Sequence, residues 1–136
     1  MSNAGSTTVY EQVGGLETFE HLVGEFYAGV ENDPVLRPLY PESLAEPRER
    51  LALFLAQYFG GPTTYSELRG HPRLRARHSR FLIGRRERNA WVGHMLGAID
   101  AVGIVEPARS EMRAYFEGAA TFLINQDWPR PAGTPL

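Results

Sequence analysis

Cysteine is absent from this 136-residue chain, which excludes disulfides, thiolate metal sites and thiol nucleophiles. Lysine is absent too, so all 14 cationic side chains are arginines. Long apolar runs are also missing. The longest one without interruption, residues 51–56, is far too short to cross a bilayer. Residues 1–12 carry neither a basic region nor the apolar stretch of a signal peptide. These absences lead to the expectation of a soluble, cytoplasmic protein with no membrane partner. No HExxH zinc pattern and no glycine-rich dinucleotide loop occurs. The length suits one domain with a single core, and 43% hydrophobic and 22% charged residues are ordinary for a globular protein.

What is present is unevenly placed. The net charge is only -2, yet eight arginines fall between positions 69 and 88 against one acid, Glu87. Guanidinium groups present a planar fork of donors suited to carboxylate or phosphate. Such a segment holds an anionic group, a nucleic-acid backbone, or only water.

Helical periodicity dominates the chain. Phe19, Leu22, Val23, Phe26, Tyr27 and Val30 follow the spacing of one helix face over 16–30, and Asp33-Pro34 ends that element. A second helix starts near Pro47 with an inward stripe of Leu51, Phe54, Leu55, Tyr58 and Phe59. Gly60-Gly61-Pro62 stops it, and the composition of 60–72 predicts a loop. A short helical piece is expected at 73–78. Two longer helices follow at about 86–102 and 107–125. Their expected inward faces are Trp91, Met95, Ala98, Ile99 and Val102 on the first, and Met112, Tyr115, Phe116, Ala119, Phe122 and Leu123 on the second. The reading is all-α, with four main helices and two or three short ones. The domain is expected over 9–127, between flexible segments at 1–8 and 128–136.

Taken alone, the candidate chemical residues have bland readings. His78 amid arginines reads as a surface histidine, and Tyr27 and Trp91 as core aromatics with polar tips at the edge. Their context changes this. The string Gly60-Gly61-Pro62, Tyr65-Ser66-Glu67, Arg69-Gly70-His71-Pro72, Arg73-Leu74-Arg75, Arg77-His78 and Phe81 resembles the group II truncated haemoglobins. The resemblance runs from about Tyr10 to Asn125. It takes in Val13-Gly14-Gly15, Thr18-Phe19, Phe26-Tyr27, Pro34-Val35-Leu36-Arg37, Tyr40-Pro41 and Ala90-Trp91. One departure is Ser79-Arg80, where such sequences often carry a proline before the phenylalanine matched by Phe81.

That resemblance implies a shortened globin, two helices over two around haem b (iron protoporphyrin IX). It implies His78 as the iron ligand, and Tyr27, Tyr40 and Trp91 as polar groups that stabilise a bound ligand. Pro47 and Leu51 would complete the distal wall, and neither donates a hydrogen bond from its side chain. Arg50 and Arg77, backed by Tyr65 and His71, would meet the haem carboxylates, and Phe54 and Phe81 would pack on the porphyrin faces. The implied partners are O2, CO, NO or peroxide. A separate reductase would be needed for redox turnover, and no nucleic acid is expected. Some members of the group are dimers, so a homodimer is compatible. The implied function is reversible binding of diatomic gases at a five-coordinate iron, as in oxygen storage or transport, with NO dioxygenase or peroxidase-like activity as a further capacity. The competing reading is a non-enzymatic helical module that binds nucleic acid or an acidic partner through Arg69–Arg88. A zinc site drawn from His71, His78 or His94 has no supporting pattern.

Overall fold

The computed structural model describes residues 7–78 and 82–125, apart from the side chain of Arg75. Seven α-helices and one 3-10 turn make up the described chain, with no strand. They are α1 (Val9–Val13), α2 (Leu16–Glu31), α3 (Ala45–Tyr58), α4 (Thr64–Arg69), α5 (Leu74–Arg77), α6 (Arg85–Val102) and α7 (Ala108–Phe122). The turn, Arg37–Leu39, joins α2 to α3.

Local chemistry fixes several boundaries. Thr8 caps α1 through a reciprocal pair: its hydroxyl accepts from the Glu11 N–H, and the Glu11 carboxylate accepts from the Thr8 N–H. Gly14 ends α1 in the left-handed region at φ 108°. The Glu87 carboxylate accepts from the Gly84 N–H at 2.9 Å to start α6, and Gly103, at φ 84°, closes it. The Gly60-Gly61 break does more than stop α3. A side-chain carbon at Gly60 would strike Thr8, and one at Gly61 would strike the ring of Tyr10. The break is therefore the seat on which α1 docks, tied by the Tyr10 N–H donating to the Phe59 carbonyl at 2.9 Å.

Helix α2 is the centre of the molecule. It packs on α3 and on α6, and α6 packs on α7. Phe19, Leu22, Phe26 and Val30 of α2, Met95 and Ile99 of α6, and Met112 and Phe116 of α7 are fully buried between them. This is the two-over-two helical sandwich. No helix among the described residues is long and apolar enough to cross a membrane.

Four expectations need correction. The segment 60–72 is not wholly loop, because α4 forms inside it. Tyr58 and Phe122 are not inward but 54% and 57% exposed, and Val92 is buried on α6 whereas Trp91 and Val102 are only half-buried. The helix end expected at 125 comes at Phe122. The flexible segments expected at 1–8 and 128–136 lie outside the described residues, except Thr7 and Thr8.

Candidate haem pocket

His78 caps the C-terminus of α5. Its Nδ1 lies 2.7 Å from the Leu74 carbonyl oxygen, which can only accept, so Nδ1 carries the proton. The Nε2 lone pair is thereby the one offered to a metal. A hydrogen bond of this kind fixes both the tautomer and the ring orientation of a ligating histidine. Asn125, just beyond α7, holds the segment from the far side. Its Nδ2 donates to the His78 carbonyl at 3.2 Å, its Oδ1 accepts from the Ile83 N–H at 2.9 Å, and its own N–H donates to the Ile83 carbonyl at 2.9 Å. It thus grips the chain on both sides of residues 79–81. Those three lie outside the described residues, and with them the Ser79-Arg80 departure and the proposed porphyrin contact of Phe81.

A second group of side chains converges from three places. Tyr27 comes from the middle of α2, Tyr40 from the end of the 3-10 turn and Trp91 from α6. The Tyr27 and Tyr40 rings meet edge to face with centroids 5.4 Å apart, and Phe26 separates Tyr27 from Trp91 at 4.9 Å and 5.1 Å. The Tyr27 hydroxyl and the Trp91 indole N–H both act on the Tyr40 phenol. Burial pushes the Tyr40 phenol up to about 12, and those two donors moderate the rise. Burial, reinforced by Tyr40, pushes Tyr27 higher still, while Arg50 and Arg48 pull against it. Both tyrosines are therefore neutral hydrogen-bond donors at any physiological pH.

Tyr40 sits on irregular backbone, so its placement needs explaining. Arg37 donates to the carbonyls of Tyr40, Pro41 and Glu42 at 3.3, 2.9 and 2.7 Å. Asp33 accepts from the Val35 and Leu36 N–H groups at 2.7 and 3.3 Å, and its other oxygen meets His94 Nε2 on α6 at 2.6 Å. These bonds hold the Asp33 carboxyl below its ordinary range, with His94 the largest contributor. Gly29 leaves room for the His94 ring, which any side-chain carbon there would strike. A short sequence signal for the turn exists, Asp33-Pro34, but the span from Asp33 to His94 has none.

The remaining expected residues fall as follows. Pro47 and Phe54 are buried on α3 and Leu51 is half-buried there. Tyr65 is buried with its ring edge-on to Phe54 at 5.6 Å. Arg50 is 3.2 Å from Glu46, which also meets Arg69 at 3.4 Å. Arg77 donates to the Arg69 carbonyl at 3.1 Å, and exposed His71 accepts from the Arg73 N–H at 3.0 Å. Arg88 is bonded to Thr121 and to the Glu117 carbonyl. Much of the arginine run is thus spent within the chain rather than spread as an open basic face. No group of three His, Asp or Glu side chains that would hold a bare metal ion occurs among the described residues.

This arrangement fits haem. Helices α3 and α6 each pack on α2, yet among the described residues their backbones are not closely packed on each other. The histidine has a fixed tautomer whose Nε2 carries no proton, α3 supplies the apolar Leu51 and Phe54, and Tyr27, Tyr40 and Trp91 supply three neutral hydrogen-bond donors.

The comparisons agree. Residues 8–125 match the family model described as bacterial-like globin. The chain is 39% identical to the group 2 truncated haemoglobin YjbI of Bacillus subtilis, covering 86% of this chain and 88% of that protein. Among solved structures, the haemoglobin of the thermophilic phototroph Chloroflexus aurantiacus is 57% identical with a TM-score of 0.87, over 88% of this chain and 99% of that one. The thermostable haemoglobin of Thermobifida fusca is 48% identical with a TM-score of 0.86, over 91% and 100%. The chain belongs to the bacterial-like globins, among the group II truncated haemoglobins, and its cofactor is haem b.

Proposed function

We propose that the protein binds O2, and with it CO and NO, at a haem iron held by His78 alone on the protein side, the sixth position being left for the gas. The observation that carries this reading is the cluster of Tyr27, Tyr40 and Trp91, three neutral donors at one wall of the pocket. Haem supplies a ferrous iron that binds diatomic gases. The remaining work belongs to the side chains. Dioxygen gains partial negative charge when bound, and an O–H or N–H donor in a low-dielectric site stabilises that charge. Each such bond contributes about 1 kcal/mol net, and 1.4 kcal/mol is tenfold in release. Slow O2 release follows. Pro47 and Leu51 line the wall without donating, and a proline cannot serve as a swinging polar gate. Tyr65, edge-on to Phe54, and Arg50, on α3 with Leu51 and Phe54, are the candidates for the haem carboxylates, together with Arg77 and His71.

The same donors suit NO dioxygenation and peroxide reduction, since both need an O–O unit held in place. Either would draw electrons from a separate reductase, because the sequence carries no dinucleotide motif. Stopped-flow measurement of O2 release tests the reading. Tyr27→Phe and Trp91→Phe should each release O2 about fivefold faster than the parent. Unchanged rates in both variants would overturn it.

A further inference from the structure

Of the three donors, Tyr40 alone is carried by no α-helix. Tyr27 stands on α2 and Trp91 on α6, whereas Tyr40 follows the 3-10 turn on extended backbone, at φ -116° and ψ 153°. Bonds within the connection make it stiff. The Arg37 N–H donates to the Asp33 carbonyl at 2.8 Å, and the Tyr40 N–H to the Arg37 carbonyl at 3.2 Å. The Arg37 guanidinium clamps the carbonyls of residues 40–42. All of these lie inside 33–42, so they shape the segment without fixing where it points.

Anchors to the rest of the fold must do that. Leu36 is buried in the core and acts as an apolar peg, which resists withdrawal more than rotation. The bond from His94 to Asp33, at 2.6 Å, has a direction. A carboxylate only accepts, so His94 Nε2 carries the proton. His94 and Trp91 are three residues apart on α6 and share one face. That face meets both ends of the connection, Asp33 through His94 and the Tyr40 phenol through Trp91. Stability does not account for the pair. Its side chains are 31% and 15% exposed, and ion pairs out of water are often no better than apolar side chains of the same volume. Yet Gly29 forgoes a side chain to admit the His94 ring. What such a pair fixes is geometry.

We propose that His94, acting through Asp33, is a positioning residue for Tyr40, fixing the connection so that the phenol meets bound O2 and slows its release. The inference rests on gas binding as proposed above. A hydrogen bond between oxygens spans about 2.5–3.0 Å, so a drift of about 1 Å at the phenol ends it. Without the anchor at Asp33 the stiff segment pivots as a unit, and Tyr40 at its far end moves with it.

The test uses haem-loaded full-length protein and four variants. His94→Phe removes the donor, and His94→Gln keeps an N–H. Asp33→Ser keeps an oxygen for the turn N–H groups but is too short to reach His94. Tyr40→Phe is made alone and combined with His94→Phe and with Asp33→Ser. Stopped flow gives O2 release, and infrared spectra of the CO complex give the C–O stretch, which rises when a donor leaves the ligand. Tyr40→Phe should release O2 about fivefold faster than the parent. His94→Phe and Asp33→Ser should match it, with the same rise in the stretch. In the Tyr40→Phe background neither should add anything, because nothing is left to position. His94→Gln should keep most of the parent's slow release. If His94→Phe fails to take up haem, Asp33→Ser decides by the same comparison. Parental release in Asp33→Ser, or an equal acceleration in the Tyr40→Phe background, overturns the inference. So does a silent Tyr40→Phe, and gas binding then stands if Tyr27→Phe and Trp91→Phe still accelerate release. Parental release in those two as well overturns both.

Discussion

The two walls of the pocket are built differently. The distal donors stand on or beside the two best-packed helices of the fold, with Phe26 and Met95 fully buried around them. His78, the proposed proximal ligand, stands at the end of a four-residue helix, held by a hydrogen bond that it donates to the Leu74 carbonyl and one that it accepts from Asn125. Packing fixes the first wall whether or not haem is bound. A four-residue helix cannot sustain itself, because nucleation costs more than one turn returns. On the proposed reading the second wall would be completed by a bond between His78 and iron, in the way that metal binding commonly couples to local folding. The lesson is that the proposed ligand-stabilising side chains are held by packing between long helices, whereas the proposed cofactor-holding histidine is held by a few hydrogen bonds at the end of a short one.

This contrast can be broken from either side. The largest effect is expected from removing distal donors. Tyr27→Phe combined with Trp91→Phe should accelerate O2 release by more than either single change, with haem uptake retained. Stopped-flow displacement of O2 by CO would register it, and parallel loss of haem would show that the walls are not separable. Next comes Gly29→Ala, which drives a methyl group into the His94 ring at the α2–α6 crossing. Overpacking of this kind costs about 1–3 kcal/mol, so thermal unfolding of the apoprotein should shift downward. An unchanged midpoint would mean that His94 simply swings aside.

Asn125→Ala should act on the proximal wall alone. Losing these bonds costs about 1 kcal/mol, hence a roughly fivefold faster transfer of haem to an acceptor protein, with O2 release unchanged. Hydrogen exchange should quicken near residues 74–84 and not in α2. The smallest effect concerns pH. The Asp33 carboxyl is held below its ordinary range in the folded state, so its bonds stabilise the fold above the unfolded carboxylate range near 4, and that contribution fades as pH falls through the lowered value. Asp33→Asn should therefore flatten the acid side of the stability profile while leaving neutral-pH haem uptake intact. A parallel profile would show that the pair with His94 adds nothing to folding.

The long helices that carry Tyr27 and Trp91 were legible in the sequence. Helix periodicity gave α2, α3, α6 and α7 to within a few residues, because each buries one apolar stripe. Helical spacing alone leaves Tyr27 and Trp91 as core aromatics; the resemblance supplies the role proposed for them. The short elements escaped for a physical reason. Helix α4 buries only Tyr65, so it has no stripe to read, although Thr8 with Glu11 is a capping signal that marks α1. Tyr58 and Phe122 obey the helical period but lie at the last turns of their helices, where the neighbouring wall has ended. The Asn125 grip on His78 spans 47 residues and the Asp33–His94 pair spans 61, and no local pattern announces bonds of that range.

The central claim is that His78, through Nε2, holds the haem. The direct measurement is haem titration of the parent and His78→Gly, each reduced, exposed to CO and followed by its Soret band, with imidazole then added to the variant. The account predicts one haem per parent chain, a shift with CO, an altered or missing band in the variant, and its recovery with imidazole. A variant that takes up haem and shifts with CO like the parent would contradict it.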